Sequence, residues 1–433
     1  MSARPEDKKL VVNGEVFWQA SGPGRGMNAR VFGYTAVAGE CLCGFISEGA
    51  YVTAETPGTR IPPGQVTLIR SEDNGRTWRS EADFSVPTDT PDGVKTDQLT
   101  AIFLDAQNDV LLRFYSRWFI KDGKFSGGGA SDRKRNIRQY YQISRDGGRT
   151  WEQEQALIQK GKEFDETHWA KGILYGRNGG KSVSFPVQIS NGSILLPFVI
   201  WPWDEEKQEI SLSNHMQSGV LIGTWQEDLS RLYWELGEYI RPKTLDPDQS
   251  NLVGITPAEL NNGSILGIMS GFSGTWPIKY ASISKDGGWT WSDPEPLLFD
   301  DGAPLFSPAS MHRLIRSSSN GKLYWIGNIL DSKEELYADD PSRPRKRLQI
   351  AEVNEDKLAI NRRTVTFIDA QKEGGMDWQL SNFDVYEDRR SGNFILTLGR
   401  SYAPIRNSAA GAPVTSAADP DRSSDAYRYH IEV

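Results

Sequence analysis

Cysteine is scarce in this chain of 433 residues, with Cys41 and Cys43 the two examples. They stand two apart in what reads as one strand. Their side chains then share a face with Cα atoms ~6.5–7 Å apart, which is poor disulfide geometry. A disulfide-stapled fold is therefore not expected. Histidine is limited to His168, His215, His312 and His430, and no His/Cys run has metal-ligand spacing. Long apolar runs are missing too. Residues 194–203 form the longest, and it is broken by Pro197 and Pro202 and too short to span a bilayer. The opening MSARPEDKK has no apolar segment of the secretory type. Positive charge is not in excess: 49 Lys and Arg against 57 Asp and Glu give a net charge of −8. A general nucleic-acid binder needs clustered cations and is not expected, although a local arginine cluster can still hold an acidic ligand. No P-loop or GxGxxG motif is present.

What the chain does have is repetition. The pattern S-x-D-x-G-x-T-W occurs at residues 71–78, 144–151 and 284–291. Ser and Asp oxygens can accept turn amides, and Gly can supply a positive φ. Trp can pack the turn onto a sheet. Each copy follows a strand-like run, so each reads as a turn between two strands. A second set of turns lies at Gly39–Glu40, Asn108–Asp109, Asn191–Gly192, Asn262–Gly263, Asn320–Gly321 and Ser391–Gly392, each between apolar runs. These are roughly 60–85 residues apart, longer than the ~40–50 of a bare four-stranded propeller blade. The surplus belongs to loops. Asp228 and Trp234 read as a slipped copy of the first motif, and residues 348–356 as a fifth, decayed one. Six four-stranded units account for the length. The alternating last residues, 426–433, are expected to close the ring beside the first blade, next to residues 9–12. The expected fold is all-β, a single six-bladed β-propeller domain over 1–433.

The three S-x-D-x-G-x-T-W copies resemble the Asp-box of the sialidase (neuraminidase) superfamily. The resemblance runs from about Arg30 to Arg400. Ser307, Pro308, Ala309 and Ser310, followed by His312, Arg313 and Leu314, resemble the first strand of a late blade. Residues 257–263 resemble that superfamily's "VEL-DG" hairpin. The resemblance implies a catalytic Tyr/Glu pair and three carboxylate-binding arginines. Arg30, in Arg30-Val31-Phe32, is the positional candidate for the first arginine. A literal Arg60-Ile61-Pro62 stands too close to Ser71 to leave room for a strand pair. The second arginine falls near Ser270, and the third among Arg343, Arg345 and Arg347. Gly254 occupies the glutamate position and Leu380 the tyrosine position. The Tyr/Glu pattern is therefore unmatched.

Propeller geometry still locates a site. Inner strands start at the ligand face and run to the far turns; second strands return. The loops after them, at 48–65, 116–138, 202–217, 271–279, 329–346 and 400–425, are polar and long enough for functional insertions. Candidates for catalysis are Asp97, His168 and Asp384. Candidates for substrate binding are Arg30, Arg117, Lys171, Asn382 and Arg400. Arg30, Arg117 and Arg400 come from neighbouring blades, and convergent arginines suit a sugar carboxylate. His168 beside Trp169 could act as general acid or base over a stacked ring. Asp384 and Asn382 are expected to alternate on the sixth inner strand, with Asp97 at the start of the second. Two carboxylates can run a glycosidase or hold an axial Ca²⁺; no other cofactor is expected. Trp201, Trp203, Trp276 and Tyr402 suit sugar stacking. Glu48 is a further candidate. Glu259, His312 and His430 read as structural, and the basic loop at 131–135 as solvated.

Three functions fit. One is an exo-acting glycoside hydrolase on a terminal acidic sugar, using Asp97 and Asp384 for proton transfer. Another is a lyase on a uronate glycan, with His168 or a tyrosine as base. The third is a non-catalytic glycan- or protein-binding propeller.

Overall fold

The structure is a computed structural model and describes residues 9–50, 66–85, 88–90, 93–120, 137–206, 208–210, 216–241, 252–271, 278–335, 344–371, 377–403 and 424–433. Six antiparallel sheets follow one another along the chain, as the blades of a six-bladed β-propeller. Sheet one is Arg25–Tyr34, Leu42–Ala50, Val66–Ser71 and Arg79–Ser85. Sheet two is built on Gly93–Asp105, Val110–Ile120 and Ile137–Ser144, and sheet three on Ile194–Trp201, Gln217–Trp225 and Leu232–Leu236. Sheet four starts at Leu252–Glu259 and sheet five at Arg313–Arg316. Sheet six orders Asp384–Glu387, Phe394–Gly399, Ala426–Glu432 and Val11–Trp18.

The terminal strands pair as expected, Val11 opposite Glu432, but they complete sheet six and not sheet one. Ala426–Glu432 pairs with Phe394–Gly399 because its buried positions, Tyr429 and Ile431, join the core with Phe394, Leu396 and Leu398.

The two turn families fall where the sequence puts them. All six of the Gly- or Asn-bearing turns join a first strand to a second. Gly192, Gly263, Gly321 and Gly392 hold positive φ there, between 71° and 90°. The three S-x-D-x-G-x-T-W turns join third strands to fourth, and their hydrogen bonds repeat. The serine hydroxyl donates to the aspartate at 2.8 Å in each copy. The glycine amide donates to the serine Oγ at 2.7–2.8 Å. The threonine amide donates to the aspartate at 2.9 Å. Donors aimed at the carboxylate hold Asp73 and Asp146 at about 2. The slipped copy keeps the place but not the pattern: Ser230 donates to Asp228 at 2.7 Å, with Leu229 at φ 53°.

The chain divides into two compact units. One comprises Phe32–Trp276 and Tyr280–Glu295, and the other Met1–Val31, Pro277–Lys279 and Pro296–Val433. In the first, Phe114, Tyr141, Phe198, Leu221 and Trp234 form the centre of the core between sheets two and three. Ile194–Trp201, the longest apolar run, is a strand buried along its whole length. Gly223 lies under Trp234, where a Cβ would approach the ring to 2.7 Å. In the second unit Tyr324, Leu348, Phe383, Phe394 and Ile431 form the equivalent core. Each buried aromatic or aliphatic side chain contributes about 1.5–3 kcal/mol.

Carboxylates at the far ends of inner strands tie neighbouring turns together. Glu259 accepts from the Ser190 amide and hydroxyl at 2.7 and 2.6 Å. Glu387 accepts from the Ser318 amide at 2.9 Å. Glu259 is therefore structural, as its position beside the turn implies.

Candidate active site

Two inner strands of the second unit open with charged residues. Asp384 is the first residue of Asp384–Glu387, and Arg313 the first of Arg313–Arg316. Arg30 lies in the inner strand Arg25–Tyr34, whose Val31 amide donates to Thr397 Oγ1 at 2.9 Å. Arg30 Nε donates to Asp384 Oδ2 at 2.5 Å. The arginine side chain is 17% exposed and the aspartate 2%, so the pair is reached from the Arg30 side.

Burial dominates the electrostatics of this cluster. It pushes the Asp384 carboxyl up to about 6, although Arg30 and Arg313 both pull it down. Arg313 is pushed down to about 9 by burial and by the like charge of Arg30, against the pull of Asp384. Lys279 begins the third strand of sheet four and is wholly buried. Its Nζ donates to the Ser310 carbonyl at 2.6 Å, and burial drives its pKa well below the usual lysine value.

Arg117 is in a different situation. Its Nε and one Nη donate to the two oxygens of Asp97 at 2.8 and 2.9 Å. Both Nη atoms donate to Glu154 at 2.8 Å. Its guanidinium lies 4.3 Å from the Tyr140 ring centroid, and Tyr115 donates to Glu154 at 2.6 Å. All three guanidinium nitrogens are engaged, so Arg117 and Asp97 stand as a strut. Asp97 is the fifth residue of its strand, not the first.

Arg400 forms a similar knot. Its Nε donates to Asp369 at 2.9 Å and its guanidinium sits 3.5 Å over Tyr427, while the Tyr429 hydroxyl donates to Asp369. Arg30, Arg117 and Arg400 thus each serve a different carboxylate.

The remaining candidates lie apart from these clusters. His168 is half-buried in the loop before sheet three, its Nδ1 3.1 Å from the Glu163 carbonyl and its ring 4.9 Å from Phe164. Trp169 is no platform: it is buried, edge-on to Phe198. Lys171 is exposed, with its backbone held by Gln159 and Tyr239. Asn382 does not alternate with Asp384 on a strand. It precedes the strand with φ 60° and is exposed, because a left-handed residue breaks the alternation. Trp201 is buried and Trp203 partly so, both in one apolar cluster with Ile137 and Val199. His215, Trp276 and the basic loop lie outside the described residues, as does the side chain of Tyr402. His312 is buried beside Arg313. Gly254 holds φ 69° at a bulge, with nothing within 4 Å of the Cβ it lacks.

Arg313 was not among the candidates, although it satisfies the same criterion that selected Asp384, a charged start to an inner strand. Glu154 and Asp369 carry no sequence signal of their partners. Among the described residues no three or more His, Cys, Asp or Glu side chains gather as a metal site. No helix among them is long and apolar enough to cross a membrane.

No protein-family model matches the chain, and no curated sequence matches it. Solved structures do. Hz136, a Hadza microbial sialidase, matches with a TM-score of 0.52 and 13% identity, over 86% of this chain and 63% of that one. The NanB sialidase of Streptococcus pneumoniae matches at 0.56 and 12%, over 96% and 70%. An alpha-L-arabinofuranosidase of Fusarium graminearum, Arb93A, matches at 0.52 and 13%, over 98% of both chains. The chain spans under two thirds of the length of Hz136. At identities this low the likeness shows the fold alone, a six-bladed β-propeller.

Proposed function

We propose that this protein is a glycoside hydrolase that removes a terminal acidic sugar from a glycan. The observation that carries the reading is the Arg30–Asp384–Arg313 cluster, with two guanidiniums to one carboxylate. Its formal charge is +1 with Asp384 ionised and +2 with it protonated. In the Arg117 strut every guanidinium nitrogen is taken by a carboxylate; among the described residues two arginines act on Asp384, and Arg30 is partly exposed. Guanidinium groups suit a sugar carboxylate because their paired N–H groups match its two oxygens. The glycosidases that share the fold support a carbohydrate substrate.

Glycoside cleavage needs a proton delivered to the leaving oxygen. Asp384, pushed up to about 6, can hold a proton in mildly acidic solution, but at 2% exposure behind Arg30 it does not itself reach the leaving oxygen. Asp97 is unsuited to the second role, since Arg117 takes both of its oxygens.

The test is turnover on sialosides, uronate-bearing oligosaccharides and neutral glycans, reading both new reducing ends and ultraviolet absorbance. New reducing ends from an acidic glycan, lost in Arg30→Ala, support the hydrolase. Absorbance from an unsaturated uronate would replace it with a lyase. No turnover, together with ligand-induced thermal stabilisation, would replace it with a binding propeller.

A further inference from the structure

We propose that the Arg30–Asp384–Arg313 cluster takes up a proton when it binds an anionic sugar, so that binding strengthens as the solution becomes more acidic. The inference rests on the reading of this cluster as a carboxylate site.

The geometry sets up the coupling. Asp384 Oδ2 already occupies Arg30 Nε at 2.5 Å. Among the described residues, the charged groups that act on this carboxyl are Arg30 from the first inner strand and Arg313 from the fifth. The second strand of sheet six places uncharged Thr397 opposite it. Arg30 is the accessible member and Asp384 the inaccessible one. A ligand carboxylate that reaches Arg30 therefore meets an internal carboxylate on the same guanidinium. Like charges on a shared site raise one of the two pKa values. The internal group is the one that takes the proton. It has lost its solvent, and burial has already carried it to about 6. A sugar carboxyl keeps part of its hydration and starts from the low range of α-carboxyls, about 3.3–3.7. The proton comes from solvent. Asp384 becomes a neutral carboxyl that can donate a hydrogen bond, and the ligand stays an anion on Arg30.

Linkage gives the sign and the size. Above the free value, about 6, each bound anion must bring a proton. In the limit of full coupling, affinity falls ~50-fold from pH 6 to pH 8, and ~0.9 proton enters per ligand at pH 7.

The experiment is isothermal titration of the full chain with N-acetylneuraminic acid and with glucuronic acid, with glucose as the neutral control. It is run at pH 6, 7 and 8 in two buffers of different ionisation heat. Wild type should bind an acid more tightly at low pH and take up close to one proton at pH 7. Asp384→Asn should bind with no pH dependence and no uptake, and Asp384→Glu should restore both. Binding of either acid with flat affinity and no uptake in wild type would overturn the inference and leave the carboxylate site standing. Absence of binding by either acid at every pH would overturn the site reading and the inference with it.

Discussion

At Arg117 two carboxylates face one guanidinium; at Asp384 two guanidiniums face one carboxylate. In the first cluster Glu154 and Arg117 are held in their ionised forms. Glu154 is pulled to about 2 by Arg117, and Arg117 is held well above its ordinary value. In the second both groups move toward neutrality: Asp384 rises to about 6 and Arg313 falls to about 9. The difference lies in solvent and geometry. Arg117 engages every nitrogen, and Glu154 remains partly in water, so hydrogen bonding outweighs desolvation. Asp384 has no such exposure, and burial outweighs two nearby cations. A guanidinium whose every nitrogen is bonded to a carboxylate is a structural strut. A buried carboxylate acted on by two guanidiniums can exchange partners and protons.

The largest expected effect breaks the strut. Arg117→Ala leaves Asp97 and Glu154 facing each other and uncovers the Tyr140 ring. Urea unfolding should show a loss of about 3–5 kcal/mol. A loss below about 1 kcal/mol would mean that the pair behaves like an exposed surface bridge.

The next effect separates the clusters by the sign of their pH dependence. Asp384 binds its proton more tightly folded than unfolded. Its contribution is therefore full below about 3.8 and is lost as pH rises through about 6. The total is about 3 kcal/mol. Glu154 works the other way: its contribution is present above 4.5 and is lost as pH falls toward 2. Stability curves should flatten between pH 4 and 6 in Asp384→Asn, and on the acid limb in Glu154→Gln. The same flattening in both variants would erase the distinction.

A smaller effect tests a region with no excess charge. Ser284 is buried, donates to Asp286 and accepts the Gly288 amide. Ser284→Ala should lower stability by about 1–2 kcal/mol and leave ligand affinity unchanged, as read by urea unfolding and titration.

The sheets were legible because their signals are local. An Asn-Gly pair, or a serine and aspartate two residues apart, fixes a turn from its own side chains, and six such turns fix six sheets. The order of sheet six was not local. Residues 426–433 point to the N-terminal segment, but only packing against Phe394 and Leu396 decides which sheet they complete. The site divides in the same way. Arg30 and Asp384 could be nominated from their places on inner strands. That they meet, 354 residues apart, is a result of closure alone. Asn382 was misplaced because period-two counting presumes strand dihedrals, and its φ is left-handed. Arg117 looked like a ligand arginine because Glu154, the partner that occupies it, lies across two strand pairings.

The central claim is that the Arg30–Asp384–Arg313 cluster, and not a fully bonded arginine strut, meets the substrate. The most direct measurement compares release of a terminal acidic sugar by wild type, Arg30→Ala and Arg400→Ala, each checked for a native fold. The account predicts turnover in wild type, a loss of at least about 100-fold in kcat/KM for Arg30→Ala, about 2.7 kcal/mol, and a change of a few-fold or less for Arg400→Ala. Equal losses in the two variants, or undiminished turnover in Arg30→Ala, would contradict it.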